Sequence, residues 1–209
     1  QSTSSSVPVY DPNVWDTNRP FLKCSEVNTS RDPALLVFGY RNSSGKIVND
    51  ILAIRVGVRA KVVKLGQLGS ESDPIHWGMA CCLFVNTVYI STIGKNYDQI
   101  WKFIPDTREQ VECGVLYKPR VGHCMSSADG AVYIIGGTDS VTGRPLDLIE
   151  GFDPHGCKGF LASRLIHPVT RACCAAVDKK IFVFGGYSKM MTTVDHVQCF
   201  DPATNQCSL

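Results

Sequence analysis

Short apolar runs, rather than long amphipathic stripes, organise this chain. Two of them read Leu35-Leu36-Val37-Phe38-Gly39-Tyr40 and Thr87-Val88-Tyr89-Ile90-Ser91-Thr92. Two more read Val132-Tyr133-Ile134-Ile135-Gly136-Gly137 and Ile181-Phe182-Val183-Phe184-Gly185-Gly186. Each is too short for a helix and rich in β-branched and aromatic residues, so each predicts a strand. The runs are apolar almost throughout rather than alternating, which fits strands covered on both faces. The small residues that close them let the backbone turn sharply and pack closely. Polar loops follow over 41–49, 94–98, 138–147 and 188–195, and a further strand is predicted over 100–103, 148–152 and 197–200. A weaker third strand and a connector then lead to a strand over 78–84, 122–128 or 172–177.

Three marks recur in register. With Gly39, Ser91, Gly136 and Gly185 taken as equivalent, the spacings are 52, 45 and 49. Phe103-Ile104-Pro105-Asp106, Phe152-Asp153-Pro154 and Phe200-Asp201-Pro202 follow at spacings of 49 and 48. Pro119-Arg120 lies 16 residues ahead of Gly136, and Arg171 lies 14 ahead of Gly185. Four strands per unit at such a period describe a propeller blade. The expected fold class is therefore all-β: a propeller of about four blades, each a four-stranded antiparallel sheet, in an incomplete ring. The repeats are placed over 34–80, 81–127, 128–176 and 177–209. Residues 1–33, Ser-rich at the start and punctuated by Pro8, Pro12, Pro20 and Pro33, read as a linker.

Composition narrows the function. Hydrophobic residues at 44% and charged residues at 19% describe a folded globular chain. A net charge of +2 gives no reason to expect nucleic acid or an anionic membrane as partner. No apolar stretch approaches the length of a membrane span. The polar opening Gln1–Ser6 lacks the apolar core of a signal peptide, and the chain reads as part of a longer protein. There are ten cysteines, but Cys81-Cys82 and Cys173-Cys174 are adjacent pairs inside apolar runs and no C-x-x-C occurs. Buried reduced thiols and a cytoplasmic setting are expected. His155-x-Cys157 and His196-x-x-Cys199 each offer two donors where zinc needs three or four, so no metal or other cofactor is expected. His123 and Cys124 are strand neighbours that point to opposite faces and cannot share a proton. With no P-loop, zinc-protease or serine-hydrolase signature, the chain is not expected to be an enzyme.

The glycine pair after an apolar strand, the Phe-Asp-Pro turn and the Pro-Arg before the next strand together resemble the Kelch repeat. In overall style the chain resembles the Kelch domain of BTB–Kelch (Kelch-like) proteins, over about Ala34–Leu209. The third and fourth units match best. The first keeps one glycine, Gly39, and the second has Ser91-Thr92 with Gly94 just beyond. Phe160 stands in for the Trp that family units commonly carry after the turn. The resemblance implies a ring completed by blades outside this chain and a protein or peptide ligand docked at one mouth. It implies contacts from Tyr40, Arg41 and Asn42 in the first unit and Tyr97 in the second. The third unit would supply Thr138, Asp139 and Arg144, and the fourth Tyr187, Ser188 and Lys189. Arg120 and Arg171 are carried over as blade-opening arginines, although for Arg120 a structural role, pairing with loop carbonyls, stands beside the binding one. The implied function is substrate recognition in an adaptor for a cullin-based ubiquitin ligase, the cullin being held through a BTB domain outside this chain. The alternative is an actin-binding cytoskeletal protein. A copper oxidase of Kelch-like architecture is a third reading, which needs a complete ring and a Tyr, His and Cys radical site.

Overall fold

An apolar strand is stable in water only when both its faces are covered, and stacking one sheet on the next covers them. The computed structural model describes residues 26–29, 32–55, 61–69, 78–93, 97–189 and 192–209. The first sheet is β1 (Glu26–Thr29), β2 (Asp32–Arg41), β3 (Ile47–Arg55) and β4 (Lys61–Gln67). The second is β5 (Ala80–Phe84), β6 (Thr87–Ile93), β7 (Gln99–Ile104) and β8 (Glu109–Val115). A short strand β9 (Arg120–Val121) precedes β10 (Cys124–Ala128) and β11 (Ala131–Ile135). The strands β12 (Thr138–Asp139), β13 (Leu148–Asp153) and β14 (Lys158–Arg164) follow. Four of these, in the order β10-β11-β13-β14, form the third sheet, while β9 and β12 pair as a separate ribbon. The fourth sheet is β15 (Cys173–Val177), β16 (Lys180–Phe184), β17 (Val197–Asp201) and β18 (Gln206–Ser208). Every pairing is antiparallel. No helix occurs among the described residues.

Strand pairing gives the register of the repeat directly. Val88, Val132 and Ile181 stand opposite Phe103, Phe152 and Phe200, and all six are fully buried. The first three sheets also share a bulge at one place, after Ile51, Ile100 and Ile149. This register aligns Phe38, Ser91, Ile135 and Phe184, whose partners are Ile51, Ile100, Ile149 and Val197. Ser91 is therefore not the counterpart of Gly39, Gly136 and Gly185; Thr92 is. The Ser91 side chain turns inward, fully buried, where its hydroxyl bonds His123 Nε2 in the third unit and approaches Met125 Sδ at 3.0 Å.

Two further expectations are corrected. Glu26–Thr29, assigned to the linker, pairs with Asp32–Leu35 as the edge of the first sheet; residues 1–25 lie outside the described residues. The strand 124–128, placed with the preceding unit by the repeat boundaries, opens the third sheet, and 173–177 opens the fourth in the same way. The reason is local. Asp129-Gly130 and Asp178-Lys179 take positive φ between facing residues Ala128↔Ala131 and Val177↔Lys180, the two-residue turn that folds each strand onto the next. The Asp-Pro marks are turns of another kind, in which Asp153 and Asp201 accept the backbone N–H of His155 and Ala203.

The core lies between the sheets. Phe38 meets Phe103 across the first interface, Tyr89 meets Phe152 across the second and Tyr133 meets Phe200 across the third, with ring centroids 5.9, 5.9 and 5.2 Å apart. Such pairs add about 0.5–1.5 kcal/mol each to the burial itself. All nine cysteines among the described residues are free thiols; Cys24 lies outside them. Burial pushes the Cys113 thiol up to about 12 and the Cys207 thiol to about 11, which suits packing groups rather than nucleophiles.

Candidate functional site

At one end of the second, third and fourth sheets, the loops enclose a cleft of about 420 Å³. Its lining includes Tyr97 ahead of β7, Thr138 and Asp139 of β12, Thr170 and Arg171 ahead of β15, and Lys189. Five of these six are expected contact residues. Thr170 was not foreseen, and neither was Ser140, which also lines the cleft.

The wall of the cleft is rigid because of what lies behind it. Arg120 has no exposed surface. Its guanidinium pairs with Glu150 and donates to the carbonyls of Lys118 (3.1 Å), Gly136 (3.0 Å) and Leu148 (3.2 Å). Glu150 in turn accepts the backbone N–H groups of Tyr117 and Lys118 at 2.7 and 3.1 Å. Burial pushes the Glu150 carboxyl up and the Arg120 guanidinium down, and the charge of each partner opposes both trends. Arg120 is thus not a contact residue but the internal tie of its blade, because every donor direction named here ends on protein.

Asp139 is similarly committed. It is almost fully buried, pairs with Lys118 Nζ at 3.0 Å and accepts the backbone N–H of Val141 and Thr142. Burial works to raise its carboxyl, but these donors outweigh burial and hold it at about 2. Asp139 shapes the loop that carries Ser140, whose N–H and hydroxyl both donate to Pro119 O. On the other side Thr138 Oγ1 donates to Thr170 Oγ1 at 2.8 Å, joining the third and fourth units under the cleft.

Arg171 has a different station. Its backbone N–H donates to Gly122 O at 2.6 Å, and the N–H of Gly122 donates to Gly78 O at 3.0 Å. Gly78, Gly122 and Arg171 are therefore the same position in three successive blades, stitched along the inner edge. A side chain at Gly78 would put its Cβ 2.5 Å from Val121 Cβ, and Gly122 sits at φ +65° with Thr170 Oγ1 only 3.1 Å from where a Cβ would stand. Arg171 takes the same left-handed conformation, φ +55°, yet carries a long side chain, and that residue is exposed. Arg120 and Arg171 are not counterparts. The fourth-blade match of Arg120 is Val169, 1% exposed in the core, because Thr170 bridges Tyr187 as Val121 pairs with Thr138.

The remaining candidates lie apart from this lining. Tyr40 reaches toward Asp50 (3.5 Å), and the Asn42 side chain caps its own loop at Ser44 and Lys46. Arg41 is placed in β2, with its side chain outside the described features. Arg144 is exposed between Gly143 and Pro145, which do line the cleft. Tyr187 exchanges backbone hydrogen bonds with Thr170, and the Ser188 hydroxyl bonds that of Thr192. Lys118, which fixes Asp139, could have been suspected as the residue preceding the Pro119-Arg120 mark. Among the described residues no three His, Cys, Asp or Glu side chains gather as a metal site, and no helix is long and apolar enough to cross a membrane.

Comparison with known proteins agrees with the fold. Residues 119–158 and 168–209 match the Kelch motif. The chain is similar to Kelch-like protein 35 of Mus musculus, 29% identical over 62% of this chain and 22% of the relative. It is similar to Kelch-like protein 6 of Homo sapiens, 33% identical over 56% of this chain and 18% of the relative. The chain thus spans about a fifth of the length of the curated relatives it matches. Among solved structures, YjhT superposes with a TM-score of 0.56 at 16% identity, over 63% of this chain and 50% of that one, a likeness of fold. Repeat register, stacked four-stranded sheets and relatives together support a partial Kelch domain, with Kelch motifs over 119–158 and 168–209.

Proposed function

We propose that this chain grips a segment of another protein in the cleft at one end of its second, third and fourth sheets, as the substrate-recognition part of an adaptor for a cullin-based ubiquitin ligase. The observation that supports docking there is the convergence of Tyr97, Thr138, Arg171 and Lys189 from three blades onto one cleft. A loop site on a rigid scaffold suits recognition. Here the rigidity comes from the buried Arg120–Glu150 pair and the Thr138–Thr170 bond. The adaptor role rests on the likeness to Kelch-like proteins, and the cullin would be bound through a BTB domain outside these residues.

Thr138→Trp fills the cleft and tests the reading. Proteins captured by the wild-type chain and lost by the variant should bind the purified chain directly. They should also show ubiquitin conjugation that depends on the protein carrying this segment. Co-sedimentation with purified actin filaments, unaffected by Thr138→Trp, would favour a cytoskeletal role instead.

A further inference from the structure

We infer that Cys113 and Cys157 are a redox pair: a hydroperoxide closes them into a disulfide that staples the second sheet to the third. The bond forms or fails whatever the cleft holds, so the inference stands apart from the docking reading.

Sheet packing brings the two sulfurs together. Cys113 is the extra residue of the bulge in β8, between Glu112 and Gly114, which face Trp101 and Ile100. Its counterparts in the first and third sheets are the bulge residues Leu65 and Ala162. All three pack into core clusters. Cys157 is the last turn residue before β14 and takes φ +51°. The matching turn residues before β8 and β18 are Arg108 and Asn205, at φ +61° and +56°. The turn therefore sets this backbone conformation, and of the three residues only Cys157 brings a thiol to it.

This turn of the third sheet lies against the β8 bulge. A Cβ on Gly114 would stand 2.7 Å from Phe152 Cε2 and 3.7 Å from Cys157 O, and one on Gly159 would stand 3.6 Å from Val115 O. The next interface repeats the contact, since Ser163, the match of Gly114, donates its hydroxyl to Asn205 O at 2.7 Å. There the bulge and the turn carry Ala162 and Asn205; between the second and third sheets they carry two thiols. The Cys113 S–H donates to Ile100 O at 3.5 Å, and the Cys157 thiol is its hydrogen-bonding neighbour across the interface. Cys113 is 9% exposed and Cys157 is open to solvent, so an oxidant reaches Cys157 first. Cys124 and Cys174 also adjoin, but inside the apolar cluster between the third and fourth sheets.

The chemistry balances on one peroxide. Cys157 Sγ attacks a peroxide oxygen, the O–O bond breaks, and a sulfenic acid forms with release of one water. Cys113 Sγ then attacks Cys157 Sγ, the S–O bond breaks, and a second water leaves with the Cys113 proton. Two electrons pass from the sulfurs to the peroxide. Burial, and next the adjacent Cys157 thiol, hold Cys113 at about 12, so the second step is slow and quickens as pH rises.

The test treats the full chain with hydrogen peroxide and maps disulfides by mass spectrometry of unreduced peptides. One bond within the chain, joining Cys113 to Cys157, should form with loss of two thiols, and a thiol reductant should reverse it. The oxidised chain should melt at a higher temperature, because the bridge restricts the unfolded chain. Cys113→Ala and Cys157→Asn copy Ala162 and Asn205 at the matching stations, so both should fold. Cys157→Asn should abolish the bond. Cys113→Ala should abolish it and leave a sulfenic acid on Cys157 that a dimedone-type probe captures. A sulfenic acid that persists on Cys157 in the wild type would overturn the pair. So would a bond placed at Cys124 and Cys174 or between chains, or a chain whose thiols all survive peroxide.

Discussion

The third and fourth sheets carry the best-matched repeats, yet they use the same stations in opposite ways. The third buries an arginine, Arg120, behind the cleft and leaves glycine, Gly122, at the inner edge. The fourth buries Val169 at the first station and puts an arginine, Arg171, at the second. Their faces differ as well. Ile135 and Ile149 are buried against the fourth sheet, whereas the matching Phe184 and Val197 are each 41% exposed. A charge two residues further along the same backbone thus changes from an internal tie to a surface group. An apolar residue at one station counts for stability only where a neighbouring sheet covers it.

Removing the internal tie should have the largest effect. Arg120→Ala leaves Glu150 buried without its partner and strips the carbonyls of Gly136 and Leu148, and should cost about 3–5 kcal/mol in urea unfolding of the full chain. A loss below about 1 kcal/mol would mean that Arg120 is not the tie described.

The contrast between faces comes next. Ile135→Ala should cost about 2–5 kcal/mol, and Phe184→Ala at the matching station less than about 1 kcal/mol. Equal losses would show that the fourth sheet is covered in solution as the third is. A smaller change, of opposite sign, is expected at the inner edge. Arg171→Gly relieves a left-handed side-chain conformation and should stabilise by about 0.5–1 kcal/mol, seen as a rise in melting temperature.

A further effect is acid-dependent. The Asp139 carboxyl is held at about 2 in the folded chain against an ordinary 3.8, so its charge favours folding above about pH 4. That contribution is lost as pH falls through about 2. Urea midpoints of wild type and Asp139→Asn should therefore differ at pH 5 and converge toward pH 2; a gap that stays constant would remove Asp139 from the loop's support.

Much of the architecture was legible in the chain because blade geometry repeats a local demand. An apolar run, a glycine pair and a Phe-Asp-Pro turn each have a backbone reason, and Phe103, Phe152 and Phe200 duly occupy one buried station. Ser91 misled because serine reads as a turn residue, while its hydroxyl serves a partner 32 residues away, His123. Arg120 and Arg171 were paired because both precede a strand at nearly the same distance. A difference of two residues is invisible in a spacing but decisive in a ladder of hydrogen bonds.

The sequence by itself determined the all-β class, the repeat and most of the loops that line the cleft, since these follow from periodicity and turn chemistry close along the chain. Only the tertiary structure decided which arginine is inside, which carboxylate is already neutralised and which aliphatic face lies open. Those outcomes depend on groups brought together across sheets: Glu150 lies 30 residues from Arg120, and Thr170 lies 32 from Thr138. Burial and pairing at such distances are properties of the packed blades, and no local pattern encodes them.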